Sequence, residues 1–487
     1  MSHRGGTDGA MWAISRKNLW DRTPVGAKRR LRRVLGVVPP AWLLGRRFRQ
    51  QLALVDQAQW WPAERARAYQ VECLRRICVR AVERSSFYRR HFQQAGFDPR
   101  SLRSVEDLAA LPLIDKETVR EHREAMCTVS PRSASVDYVS TGGSSGTPLG
   151  FHIGADRSAT EYAFLVASWR RVGYRLDMPQ AVFRGKVVSR NGAGLRHEFD
   201  PVLRRHYYSS FHMIDEEMAR DLQHVATIGP CYLHVYPSSV STLTRFIERT
   251  RAPVPDNIRG ILAGSEMVYA EDRAAAERTF GVRYFSWYGH SEKLVLGAEC
   301  EHRDDIHIWP TYGYMELIDE TGRPVTTPGQ RGEIVGTGFI NSVMPFIRYR
   351  TGDHATFVGR RCAACGRDHL LLRDIRGHRT QEMLVAADGS EISWTAVNMH
   401  DRTFDHVRQL QFRQERPGEA TLRIVPAPSF DETDAEQIRQ NLARKLAGRI
   451  SFVIELCDEI PLTPRGKQTF VDQRIDRTEI RAEVLRR

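Results

Sequence analysis

Three textures in the sequence predict an α/β fold: a large multilayer N-terminal domain with a β-rich subdomain, then a small α+β C-terminal domain. Between residues 150 and 290, short apolar runs alternate with helical patterns. That alternation layers helices on a sheet and leaves ligands at strand ends. Residues 312–358 turn strand-rich, with runs at 314–318 and 332–337 around the turn Asp319-Glu320-Thr321-Gly322. Beyond a break near 375–382, a few strand-like runs surround one helix. A chain of 487 residues has room for two or more domains and a large core. The expected division is 1–33 as a disordered basic leader, 34–376 as the large domain (β-rich part at about 298–374), and 377–487 as the small one.

The leader is set apart by charge. Net charge is +13, and residues 1–50 hold twelve Lys and Arg, among them Lys28, Arg29, Arg30, Arg32 and Arg33, against Asp8 and Asp21. Such a block beside Leu31, Val34, Leu35 and Trp42 suits peripheral contact with an anionic membrane face; a solvated tail is the plainer reading. Nucleic acid is not an expected partner, because no reader motif accompanies the charge. With 41% hydrophobic and 27% charged residues, the composition is globular. No apolar run reaches the ~18–20 residues of a membrane span, and the stretch 34–45 is cut by Pro39-Pro40. No secretory h-region is visible, so the expected location is the cytoplasm or its membrane face.

The elements follow in order. From 63 to 95, Ala66, Tyr69, Leu74, Ile77, Ala81 and Val82 recur at mostly three- and four-residue spacing and predict one helix ending at Gly96. Helices are expected over 161–172, over 238–249 with a serine N-cap, and over 270–280. Strands are expected at 181–183, 232–236 and 258–263, the last ending in Gly264-Ser265-Glu266. In the small domain, strand-like 409–412, 420–425 and 452–456 surround a helix over 433–446.

The chemistry centres on Ser140-Thr141-Gly142-Gly143-Ser144-Ser145-Gly146-Thr147-Pro148. Its glycines permit a tight turn and close approach to a ligand, and its hydroxyls and N–H groups suit polyphosphate oxygens. Strand-like runs at 136–139 and 151–153 place the loop at a hairpin tip. It is not a Walker A loop, since no Gly-Lys-Ser/Thr follows. Downstream come Tyr288-Gly289-His290-Ser291-Glu292, Arg348-Tyr349-Arg350-Thr351-Gly352-Asp353, Arg376-Gly377-His378-Arg379 and Pro464-Arg465-Gly466-Lys467. In that order these motifs resemble the acyl-adenylate-forming superfamily, and within it the phenylacetate–CoA ligase-like branch that includes CapK-type capsule-biosynthesis proteins. The resemblance runs from about residue 40 to about 475.

The resemblance implies ATP-dependent, AMP-forming activation of a small-molecule carboxylic acid. The acyl group then passes to CoA, or to an amine or hydroxyl in polysaccharide or envelope assembly. It implies a phosphate loop over 141–147 with Thr141, Ser144, Ser145 and Thr147 as hydroxyl donors; Gly142 stands where the family has Ser or Thr. It implies Tyr288 on the adenine, Gly264, Ser265 and Glu266 lining it, and Gly289 and Ser291 near the phosphates. Glu292 is implied to ligate Mg²⁺, a hard donor for a hard cation, and Asp353 to accept from both ribose hydroxyls. Arg379, with Arg376 as the rival alignment, matches the hinge arginine before Met383-Leu384; Gln381-Glu382 stand where the family has an acidic pair. Lys467 resembles a mobile lysine, and an ammonium on a flexible stem suits a charge that is delivered and withdrawn. Two anions must meet at such a site, so cations carry much of the catalysis. A non-catalytic scaffold is the rival reading, favoured by Gly142 and Gln381 and opposed by Glu292, Asp353 and Lys467.

Eight cysteines do not make a disulfide scaffold in so long a chain. Cys73, Cys78, Cys127, Cys231 and Cys457 stand singly and read as inert thiols. Cys362-Ala-Ala-Cys365 with Cys300 and either His302 or His307 would complete a closed structural Zn²⁺ site. His307 is preferred, because 306–309 reads as a strand that would fix the ring. The acid pocket is expected from 183–190, 207–213, 232–238 and 285–290; Phe183, Tyr207, Tyr208, Phe211, Tyr236 and Trp287 suit an apolar acid and equally suit core.

Overall fold

The computed structural model describes residues 38–141, 148–190, 194–377, 382–399, 401–461 and 469–475. One 12-stranded sheet organises the larger part. Gln180–Phe183, Cys231–Val235, Ile258–Gly264 and Tyr284–Gly289 lie side by side and parallel. The helices Asp215–Val225, Pro237–Thr250 and Ala270–Phe280 alternate with them along the chain. Every residue of Cys231–Val235 is buried, which is why this strand reads as a continuous apolar run.

From Tyr284–Gly289 the sheet continues antiparallel through Leu296–Ala298, Ile306–Ile308, Leu370–Arg376, Tyr349–Gly359, Arg331–Gly338 and Gly313–Ile318. The β-rich segment therefore does not form a sheet of its own. Ile306–Ile308 pairs with Leu296–Ala298 on one side and Leu370–Arg376 on the other, and so joins the two halves. At the opposite edge, Arg205–Tyr208 runs parallel to Gln180–Phe183 and pairs antiparallel with His197–Asp200.

Two helical expectations change in detail, and one helix is new. The helix expected over 63–95 is two, Ala63–Arg84 and Ser86–Gln94. Ser85 breaks it with an extended backbone (φ −106°, ψ 127°), and its hydroxyl accepts from the Tyr88 N–H at 3.2 Å as an N-cap. The helix at 237 starts on Pro237 and has no serine cap. Its first turn is satisfied from outside, by the Glu266 carboxylate accepting from the Ser238 N–H at 2.9 Å. The helix Gly45–Ala58, unforeseen in the sequence, buries Phe48, Leu52, Val55 and Ala58. Phe48, Leu52 and Val55 pack into a core shared with Ala163, Phe164 and Trp169 of the helix Arg157–Trp169.

The C-terminal part has sheets of its own. Ser451–Leu456, Glu419–Pro426, Val407–Arg416 and Val471–Gln473 form four strands in that order, and the helix Glu432–Leu446 packs on them through Ile438, Leu442 and Leu446. Asp431 caps that helix in a reciprocal box with Asp434. Met383–Val385 and Glu391–Ser393 make a small hairpin beside it. Phe211, from the larger part, joins this core. The two parts are therefore in direct apolar contact.

Candidate active site

Val136–Thr141 and Leu149–Gly154 pair antiparallel with Thr141 opposite Leu149, so the glycine-rich loop does span a hairpin tip. Gly142, Gly143, Ser144, Ser145, Gly146 and Thr147 lie outside the described residues, as do Arg379, Gln381 and Lys467.

Beside that hairpin, past the carboxyl ends of Ile258–Gly264 and Tyr284–Gly289, opens a cavity of about 570 Å³. Thr141, Ser265, Glu266, Tyr288, Gly289, Ser291, Glu292 and Asp353 all line it. Gly264 ends its strand where a Cβ would come within 2.5 Å of the Trp287 ring, so a side chain has no room. Ser265 and Lys293 then adopt φ of +77° and +62°. Two left-handed non-glycine residues beside one cavity store the backbone strain that collects at functional sites. The turn at Lys293 is closed by its N–H donating to the His290 carbonyl at 3.2 Å and by its ammonium on Glu161 at 2.7 Å. Glu292, just before it, is 8% exposed and makes no hydrogen bond or ion pair among the described residues. A buried carboxylate with unused acceptor capacity fits a hard divalent cation.

Asp353 is positioned from two sides. The Tyr288 hydroxyl donates to its Oδ2 at 2.7 Å, and His290 Nε2 stands 3.4 Å from the same oxygen and 2.7 Å from that hydroxyl. Burial raises the Tyr288 phenol well above its ordinary range and the Asp353 charge adds to it, so the phenol stays a donor. Gly377 packs against the other oxygen, where a Cβ would stand 2.7 Å from Oδ1. The Glu266 carboxylate is occupied by the Ser238 N–H and by the Ser393 hydroxyl of the C-terminal part.

Some of the cavity wall was not foreseen. Arg273 grips Glu299 with two bonds of 2.8 and 2.7 Å. Burial pushes the Glu299 carboxyl up to about 7 against the pull of Arg273. The two stand 26 residues apart and no motif joins them. Lys116 also faces the cavity. Of the four segments expected to hold the acid, 285–290 alone contributes lining residues here. Phe183 stacks on Tyr208 at 4.8 Å and Phe211 is C-terminal core, so these aromatics serve packing.

Three cysteines and one histidine come together. Cys300, His307, Cys362 and Cys365 bring one ligand atom each to within 4.8 Å of one another. His307 Nε2 lies 3.4 Å from Cys365 Sγ, while its Nδ1–H donates to the Asp305 carbonyl at 2.9 Å. That bond sets the tautomer and leaves Nε2 to ligate. His302 stands outside the group. Burial, with Arg171 nearby, lowers His307 to about 4, so its ring is neutral. Burial pushes the Cys300 thiol up to about 11; at Cys365 burial is outweighed by donors from Arg367. Arg171 tests the fit to a metal. It is buried, has no salt bridge among the described residues, and leaves Nε and Nη2 unpartnered. Three thiolates and an imidazole around Zn²⁺ carry one net negative charge, which would compensate that cation. The donor set and the local charge both fit zinc.

A large sheet with a cavity at its strand ends, followed by a C-terminal part with separate sheets, is the acyl-adenylate-forming fold. The structure matches the open conformation of 2-hydroxyisobutyryl-CoA ligase in complex with 2-HIB-AMP and CoA with a TM-score of 0.54 and 21% identity, over 85% of this chain and 93% of that one. In sequence, the chain is 28% identical over 432 residues to phenylacetate-coenzyme A ligase of Thermus thermophilus, covering 83% of this chain and 94% of the relative. It is 20% identical over 373 residues to Protein CapK of Staphylococcus aureus, covering 75% and 80%. Residues 384–474 match the CapK C-terminal domain family. Over most of its length the chain is therefore similar to phenylacetate–CoA ligases, and its C-terminal part is similar to CapK.

Proposed function

We propose that this chain is an ATP-dependent, AMP-forming acid–CoA ligase. The observation that supports this most is the convergence of Thr141, Ser265, Tyr288, Glu292 and Asp353, remote from one another in sequence, on one cavity. In the first half-reaction a carboxylate oxygen attacks the α-phosphorus of ATP. The new P–O bond makes acyl-AMP as the bond to the bridging oxygen breaks and pyrophosphate leaves. Residues 141–147 hold the departing phosphates through backbone N–H groups and hydroxyls. Asp353, aligned by Tyr288, accepts from the ribose hydroxyls. Glu292 would hold Mg²⁺, which neutralises phosphate charge when bound. Lys467 brings a positive charge to where the two anions meet. The unit 377–487 then rotates about the hinge at Arg379, Lys467 withdraws, and the CoA thiol loses its proton, attacks the acyl carbonyl and releases AMP. Cys300, His307, Cys362 and Cys365 would hold a structural Zn²⁺ that ties 300–307 to the turn at 362–366.

The alternative reading keeps adenylation and replaces CoA by an amine or hydroxyl acceptor in polysaccharide or envelope assembly. A basic leader at an anionic membrane face would serve that role; no helix among the described residues is long and apolar enough to cross a membrane. The test is pyrophosphate release from Mg²⁺-ATP against aryl, short-chain and fatty acids, first with hydroxylamine and then with CoA. Acid-dependent release that falls about 100-fold or more in Lys467→Ala supports adenylation. If no acid supports release while ATP still binds, the scaffold reading moves ahead and the ligase reading is withdrawn.

A further inference from the structure

We propose that His197, His206 and His224 form a second transition-metal site, at the free edge of the large sheet and apart from both the cavity and the cysteine cluster. One ring nitrogen from each lies within 4.8 Å of the others. His197 sits on the edge strand His197–Asp200 and His206 on its neighbour Arg205–Tyr208. His197 stands opposite Tyr208, two residues beyond His206, so the two histidines share a face of the antiparallel pair. His224 comes from the last turn of the helix Asp215–Val225. Its ring centre lies 4.4 Å from that of His197 and 5.9 Å from that of His206.

The distances suit a metal after a small adjustment. His197 Nε2 and His206 Nδ1 are 3.0 Å apart and share a proton. Around a tetrahedral ion with metal–nitrogen bonds of about 2.0–2.1 Å, two ligand nitrogens stand roughly 3.3–3.4 Å apart. A cation would replace that proton with a movement of a few tenths of an ångström. The third imidazole is already oriented: His224 Nδ1 is 2.7 Å from the Tyr208 hydroxyl, which leaves Nε2 to ligate. An outer hydrogen bond of this kind fixes ligating histidines in metal sites. Tyr208 is fully buried, so this support is rigid.

Three imidazoles without a carboxylate or thiolate select Zn²⁺, Co²⁺, Ni²⁺ or Cu²⁺ over Mg²⁺ or Ca²⁺ and leave an open position for water. The bound ion would clamp the edge hairpin to the helix. The clamped strand leads directly to Ser210, whose hydroxyl accepts from the Gly185 N–H at 2.8 Å, and to Phe211 in the C-terminal core. The clamp therefore fixes the surface on which the C-terminal part rests.

Co²⁺ titration of tag-free, metal-stripped full-length protein tests the site. Cobalt at the cysteines shows thiolate-to-metal charge transfer in the near ultraviolet, whereas cobalt on three imidazoles shows ligand-field bands alone. Wild type is expected to bind one equivalent free of thiolate bands, which His224→Ala and His197→Gln both lose. Tyr208→Phe, which keeps the packing, is expected to hold that equivalent about 10–100-fold more weakly. Should His224→Ala fail to fold, His197→Gln on the edge strand decides. Wild type that takes up thiolate-linked cobalt alone, or an imidazole-type equivalent that persists in His197→Gln, overturns the proposal.

Discussion

Arg348 opens the Arg-Tyr-Arg-Thr-Gly-Asp motif, yet its guanidinium serves the fold. It forks onto Glu316, with Nε to Oε2 at 3.1 Å and Nη2 to Oε1 at 2.8 Å, and its Nη1 donates to the carbonyls of Ala109 (3.0 Å) and Leu111. The two side chains are only 7% and 10% exposed. Arg348→Ala strands a buried carboxylate and takes the donor from two carbonyls, a loss of about 3–5 kcal/mol. Against the roughly 5–15 kcal/mol that holds a typical domain together, that is a large fraction. Lys at 348 keeps the charge but cannot fork, so about half the loss remains. Glu316→Ala should cost a similar amount, and the double variant should be less unstable than the sum by about 2 kcal/mol or more. The assay is urea unfolding followed by tryptophan fluorescence, comparing the first transition, since a chain of this size does not unfold in one step. A loss under about 1 kcal/mol, or strict additivity, would refute the structural reading of Arg348.

Three further outcomes are expected. Tyr288→Phe removes the bond to Asp353, and KM for ATP should rise roughly 5–30-fold, about 1–2 kcal/mol, with kcat changed less; an unchanged KM would remove Tyr288 from nucleotide positioning. Cys365→Ser should lower metal content by one zinc per chain and lower Tm, and a strong chelator should do the same to wild type; equal zinc in both proteins by elemental analysis contradicts the cysteine centre. Burial, reinforced by Arg184 and Arg205, holds the His234 imidazole well below its ordinary range. The unfolded chain then takes up that proton first, so His234 stability is present above pH ~6.5 and lost as pH falls below it, at up to about 1.4 kcal/mol per pH unit. His234→Gln should flatten the acid limb of stability by one proton, read from denaturant midpoints between pH ~6.5 and ~5; an unchanged slope counts against it.

What was legible in the sequence shares a cause. The hairpin about the glycine loop and the cysteine–histidine set each answer a local demand: a tight turn, and a ligand type at fixed spacing. What was not legible depends on partners far along the chain. Ile306–Ile308 reads as a strand, yet nothing local shows that it joins the β-rich half to the parallel half. Arg273 and Glu299 become a pair only once the helix Ala270–Phe280 packs beside the sheet. Gly45–Ala58 hid in the basic N-terminal stretch, because Arg46, Arg47 and Arg49 on its outer side masked the buried Phe48, Leu52 and Val55. Among the aromatics that suited either an acid or core, the choice is decided by packing: Phe183, Tyr208 and Phe211 are core, while Trp287 lines the cavity.

Adenylation leaves an isotopic mark that no other mode of activation leaves. An acid found to support turnover is labelled with oxygen-18 in its carboxyl group and carried through a single turnover with Mg²⁺-ATP and CoA. Attack of the carboxylate on the α-phosphorus predicts one labelled oxygen in the phosphate of AMP and none in pyrophosphate. Unlabelled AMP, or ADP with labelled phosphate, would contradict acyl-AMP formation at this site.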